Sequence, residues 1–92
     1  MRNELRKRIR HVIKELQSNN PDWSFICSSL QDILDEESES RDNTPENLQS
    51  TSAYEVRVES CDLLEDAISE IDEDDASAAN NIISILKQID GV

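Results

Sequence analysis

A single glycine and two prolines in 92 residues leave this chain few positions at which it can turn. β-Sandwiches and β-barrels join many short strands through turns rich in such residues, so this composition excludes an all-β fold. Apolar residues instead follow a helical spacing from the start of the chain. The first such stripe is Leu5, Ile9, Val12, Ile13 and Leu16. We therefore predict an all-α fold in a single domain, residues 1–92, which is what this length allows.

The first interruption of the helical pattern is Asn19-Asn20-Pro21. Proline lacks the amide hydrogen that continues a helix, and its ring crowds the preceding turn. A first helix of about residues 2–18 therefore ends here, and a second helix of about residues 21–40 begins, with Asn20 as its cap.

The second interruption is the connection at residues 42–47, where proline biases the residue before it away from helix. Ser52 and Glu55 then have the spacing of a capping box, which begins a third helix of about residues 52–90. The stretch Asp74-Asp75-Ala76-Ser77 offers a possible start for a fourth helix. Because alanine there and just after it favours helix, we predict one continuous helix instead.

Helix lengths indicate how these segments pack. The first two helices together match the third, which spans roughly 58 Å. Folding the chain at residues 43–49 pairs positions whose numbers add to about 94, such as Leu30 with Leu64, so that apolar residues meet along the whole length. The leading model is an antiparallel helical hairpin with its first arm broken at residues 19–21, two copies of which associate into a helical bundle. The alternative folds the first helix back and makes a three-helix bundle.

The turn between the second and third helices carries a recognisable motif. Pro45-Glu46-Asn47-Leu48-Gln49, followed by Tyr54-Glu55, resembles the turn of small acidic helical-hairpin proteins common in bacteriophages and mobile elements. The likeness covers residues 29–71, under half of the chain. It departs from that pattern at Thr44, where an apolar residue is usual, and at Ser50, where glycine is usual. The resemblance implies a hairpin fold and a phage-type origin, and it brings no assigned activity.

Charge divides the chain more sharply than hydrophobicity does. Residues 1–16 carry six basic side chains against two acidic ones, whereas residues 32–75 carry 17 acidic side chains against two arginines. The net charge is −12. Carboxylates of the two predicted arms fall about every 2 Å along the acidic half, close to the one phosphate per about 1.7 Å of duplex DNA. Like charges crowded in this way destabilise a fold. A scaffold whose acidic residues had no binding function could avoid this cost.

The acidic half is therefore the candidate binding surface. We predict a non-enzymatic, phage-type accessory protein that mimics nucleic acid, binds a basic nucleic-acid-binding protein, and so inhibits a host nuclease, restriction system or CRISPR effector. The alternative is a homo-oligomeric structural coiled-coil module whose acids only keep it soluble. The predicted partner-binding residues are Asp35, Glu36, Glu39, Glu55, Glu59, Asp62, Glu65, Asp66, Glu70, Asp72, Glu73, Asp74 and Asp75.

Other functions find little support in the sequence. A narrow hairpin offers no evident pocket, and carboxylates are too frequent for one pair to indicate acid–base chemistry, so we predict no enzyme, catalytic residue or cofactor. A calcium loop starting at Asp72 needs glycine sixth and glutamate twelfth, where Ser77 and Ile83 stand, so we predict no metal site. The net charge argues against direct nucleic-acid binding. No apolar run approaches the roughly 18 residues of a membrane span, and we expect a cytoplasmic protein, in the bacterial host if phage-encoded.

Overall fold

Four α-helices and one short 3₁₀ helix make up the secondary structure of the computed structural model, which describes residues 2–72, 74–75 and 77–89. No strand occurs among these residues, so the all-α prediction is confirmed. The helices are α1 (Arg2–Leu16), α2 (Trp23–Asp42), α3 (Ser52–Ser69) and α4 (Ala78–Leu86), with the 3₁₀ helix (Glu46–Leu48) between α2 and α3.

The helices close into a ring around one core. Each packs against its neighbours in the chain, and α4 also packs against α1. Each contributes fully buried side chains to the centre, among them Ile9, Ile33, Leu64 and Ile82. Because α1 contacts α2 and α4, it lies across the ring from α3. The result is a four-helix bundle that is 46 Å long and about half as wide.

α1 folds back beside α2 at the predicted interruption, as the three-helix alternative required. The loop is closed by Glu15, whose carboxylate accepts the backbone N–H of Asp22 at 3.2 Å. The cap of α2 is Asp22 and not Asn20, since Asp22 Oδ1 accepts the N–H of Phe25 at 3.1 Å. α1 therefore lies beside α2 and does not extend it, and its apolar stripe enters the core.

α2 and α3 form an antiparallel pair across the predicted turn. Glu37 of α2 and Arg57 of α3 form an ion pair at 3.8 Å, and their numbers add to 94, the predicted register. α3 begins at Ser52 as predicted, but its cap is Thr51, whose Oγ1 accepts the N–H of Tyr54 at 3.3 Å. The two longest helices of the bundle thus flank the turn motif at residues 45–49.

The prediction of one continuous helix over residues 52–90 is wrong. α3 ends at Ser69, and α4 begins eight residues beyond Glu70, at Ala78. Aspartate side chains form local hydrogen bonds in the intervening segment: Asp72 accepts the N–H of Asp74 at 3.0 Å, and Asp75 bonds to Ser77. Such bonds compete with helix formation and outweigh the propensity of the alanines. The chain turns here, and α4 returns to pack on α3 and α1.

The sequence predicted no membrane-spanning segment. Within the described part of the chain, no helix is both long and apolar enough to cross a membrane.

Candidate protein-binding surface

The first row of acidic side chains runs along α3. Its members recur every three or four residues, which places them on one side of a helix, and all of them are exposed. The opposite side of α3 carries the buried residues Ser60, Leu64 and Ala67. The row therefore faces solvent over about 22 Å. We call it the α3 stripe: Glu55, Glu59, Asp62, Asp66 and Glu70.

A second row lies on the neighbouring helix. The buried side of α2 carries Ile26, Leu30, Ile33 and Glu37. The exposed acids of α2 recur at helical spacing on the other side, so they too face solvent. α2 and α3 are adjacent helices, and the α2 row borders α1, since Arg8 lines one groove together with Asp35 and Glu36. We call this row the α2 stripe: Asp32, Asp35, Glu36, Glu39 and Asp42.

Basic side chains neutralise the two stripes unequally. On the α2 stripe, Glu36 pairs with Arg8 of α1, and Asp42 accepts a hydrogen bond from Arg41 Nε at 3.2 Å. This bond raises the pKa of Arg41. No member of the α3 stripe forms an ion pair within the described residues. The basic helix α1, which supplies the partner of Glu36, lies across the ring from the α3 stripe.

The predicted acids beyond Glu70 lie in the α3–α4 connection and not on a helix. Asp72, Asp74 and Asp75 are exposed there, and Glu73 lies outside the described residues. Asp75 Oδ1 accepts the N–H of Ser77 at 2.9 Å and its hydroxyl at 2.7 Å. These hydrogen bonds hold the pKa of Asp75 below its ordinary value. The connection adds negative charge beside the C-terminal end of the α3 stripe, but part of it is used in local structure.

The hydrogen bonds at Asp75 predict a pH effect at the start of α4. Because its pKa is lower in the folded than in the unfolded chain, Asp75 stabilises the fold above its unfolded pKa, and this contribution is lost as the pH falls through the folded one. We expect Ser77→Ala to raise the pKa of Asp75, measured by carbon NMR titration of its carboxyl group. The part of the amide protection in α4 that is lost below about pH 4 should then be smaller than in the wild type. An unchanged Asp75 pKa would contradict this cause, and Ser69→Ala, another exposed serine, is the control.

One predicted residue and four unpredicted ones meet in the seam between α2 and α3. Glu65 lies close enough to Arg41 and Cys61 to affect the pKa of each. Burial raises the pKa of the Cys61 thiol, and Arg41 opposes this shift. Glu37, absent from the predicted set, is buried beside Arg57. The signal for Glu37 was available, because it continues the helical spacing of the buried residues of α2.

The surface thus gathers most of the predicted acids on two solvent-facing stripes. Among residues 2–72, 74–75 and 77–89, no three His, Cys, Asp or Glu side chains are placed to hold a metal ion. In class, the protein is a small four-helix bundle with acidic outer sides on α2 and α3. Comparisons with protein-family models, with curated proteins and with solved structures gave no match. Its function is therefore inferred from its own residues.

Proposed function

We infer that this is a non-enzymatic accessory protein that binds a basic nucleic-acid-binding protein through its α2 and α3 stripes. The observation that carries the proposal is the α3 stripe: five exposed carboxylates in a row, with no ion pair among the described residues. The positive potential of a basic channel attracts nucleic acid, and it attracts such a row of carboxylates in the same way. Occupying the channel would exclude the nucleic acid and inhibit the partner.

The spacing of charge supports mimicry of nucleic acid. In the register that Glu37 and Arg57 define, the two stripes together hold ten carboxylates over roughly 27 Å of helix, or about one per 3 Å. Duplex DNA presents one phosphate charge per about 1.7 Å of its axis. Carboxylates three or four residues apart on one helix also repel, at a cost of about 0.2–0.5 kcal/mol per pair. The chain accepts this cost on the outer sides of both helices, where uncharged polar residues would serve solubility.

The target class follows from the polyanion that is mimicked. Proteins with basic nucleic-acid channels include nucleases, restriction enzymes and CRISPR effectors. The turn motif resembles that of phage and mobile-element proteins, which meet such enzymes in the cytoplasm of a bacterial host. We therefore place the action of this protein there, as an inhibitor of a host nuclease or defence protein.

The alternative, a homodimeric coiled-coil module, needs apolar stripes that remain available to a second copy. In this structure the stripes of α1 and α4 are buried within one chain, as Leu5, Ile9, Ile82 and Ile89 illustrate. A monomer that has buried these side chains gains little by exchanging them with a partner. The acidic surface is consequently the better supported basis for function.

The test is a charge reversal of the α3 stripe in the variant Glu59→Lys, Asp62→Lys, Asp66→Lys, Glu70→Lys. Host proteins retained on the immobilised wild-type protein at low salt and released at high salt are purified, and displacement of labelled duplex DNA from each is measured. With roughly 0.7 kcal/mol lost per reversed charge, we expect displacement to weaken about 100-fold.

The control adds positive charge outside the stripes, in the variant Glu4→Lys, Gln17→Lys, whose side chains are exposed near the two ends of the basic helix α1. Circular dichroism checks that both variants keep their helix content. Equal displacement by the wild type and the α3 variant would contradict the proposal, as would displacement that does not depend on salt.

A further inference from the structure

An apolar groove lies at the turn end of the bundle, beside the acidic stripes. It is formed by the last turn of α2, the 3₁₀ helix and the first turn of α3. Pro45, Leu48, Ala53 and Tyr54 supply its apolar lining. Leu48 is 45% exposed, although it is a large aliphatic side chain in a groove that other apolar residues line. The groove therefore presents apolar surface that this chain leaves open to solvent.

Exposed acidic residues adjoin the lining residues of this groove in the sequence, and the one cation among the lining residues faces a carboxylate. Arg57 lies among the lining residues, but Glu37 faces it at 3.8 Å. Asp42, Glu46 and Glu55 are exposed and lie within three residues of lining residues in the sequence. An occupant of the groove thus meets apolar contact at the centre and negative charge at the rim.

We propose that the groove holds an apolar side chain carried by a basic, helical segment of the partner protein. The proposal rests on the function inferred above and adds to it how the partner is recognised: lysine or arginine side chains meet the acidic rim while a leucine or a similar side chain enters the groove. A purely electrostatic surface binds any basic protein, whereas an apolar anchor beside it selects among them. In a second copy the basic residues lie on α1, whose apolar side chains are buried in its own core, so a separate basic partner with an exposed apolar side chain fits the groove better.

The experiment uses two synthetic helical peptides of equal length and equal lysine content. One carries leucine along one side, and the other carries glutamine at the same positions. Affinities for the full-length protein are measured by calorimetry at low salt, and amide NMR shifts locate the contact. We expect the leucine peptide to bind about tenfold more tightly, with shifts at Leu48, Ala53 and Tyr54, because one leucine is removed from water.

Two variants test the location, with a third as a matched control. Leu48→Ser removes apolar lining, and Ala53→Gln fills the groove without changing its charge. In each variant the tenfold preference should disappear, so that the two peptides bind with about the same affinity. Phe25→Ser is the control, because Phe25 is 44% exposed, as much as Leu48, but lies in the first turn of α2, about 26 Å along the helix from Asp42. It should leave the preference unchanged.

The outcomes separate this proposal from the function on which it rests. Equal binding of both peptides would overturn the groove proposal and leave the electrostatic function standing, whereas failure of both to bind would overturn both. Loss of the preference in Phe25→Ser but not in Leu48→Ser would also overturn the groove proposal. So would a wild-type dimer, seen by light scattering, that Leu48→Ser converts to monomer, since the occupant would then be a second copy.

Discussion

Truncation of Leu86 to alanine is expected to lower the free energy of unfolding by about 3 kcal/mol. Leu86 lies in the last turn of α4, and its side chain is fully buried in the core that α4 closes against α1 and α3. Removing its terminal carbons loses transfer free energy and leaves a cavity that the surrounding helices fill only in part. A small domain has a total stability of roughly 5–15 kcal/mol, so this loss is a large share of it. Urea unfolding followed by circular dichroism measures it.

The adjacent residue provides the control for this prediction. Ile85 is only half-buried, and Ile85→Ala should cost about 1 kcal/mol. A continuous helix over residues 52–90 would reverse this order, because the seven-residue repeat of Leu64, Ile71, Ala78 and Ile85 along it includes Ile85 and omits Leu86. A larger loss for Ile85→Ala than for Leu86→Ala would therefore show that α4 does not pack as described.

Part of this fold was predictable from the sequence and part was not. Proline at position 21 and the turn at residues 42–47 act locally, so the sequence predicted both interruptions of the helical pattern. The leading model reversed the chain only at the turn, and the fold-back of the first helix was its alternative. The break before α4 depends on side-chain hydrogen bonds of Asp72 and Asp75, which compete with favourable alanine propensity at neighbouring positions. Over the nine residues of α4, repeats of 3.5 and 3.6 residues differ too little to choose between Ile85 and Leu86.

The candidate surface, too, was only partly predictable from the sequence. Spacing alone places Glu55, Glu59 and Asp62 on one side of a helix, and the structure finds them exposed there. Which carboxylates meet a cation depends on the fold-back of α1, since only that brings Arg8 to Glu36 across 28 residues of sequence. Helix periodicity contains no information about such a contact. The stronger charge of the α3 stripe thus emerged only once the order of helices around the ring was known.

Replacement of Arg57 by leucine is expected to cost about 3 kcal/mol of unfolding free energy. Arg57 Nε lies 3.8 Å from Glu37 Oε2, and the two side chains are only 23% and 10% exposed. Removing the cation takes away a charge that offsets the desolvation of the buried Glu37 carboxylate. Arg41→Leu is the matched control: Arg41 bonds Asp42, which is 70% exposed, so water replaces the lost contact and the cost should stay below about 1 kcal/mol.

A double replacement tests whether the stability lost in Arg57→Leu comes from the missing charge or from altered packing. In Glu37→Leu, Arg57→Leu both buried charges disappear together, and two apolar side chains of similar reach fill the seam, so most of the lost stability should return. If the double variant were as unstable as Arg57→Leu alone, the seam would depend on the packing of the arginine stem and not on its charge. Both stripes remain intact in the double variant, and it should bind the lysine–glutamine peptide with the affinity of the wild type. The ion pair would then hold α2 and α3 in register, while the exposed carboxylates on their outer sides supply binding.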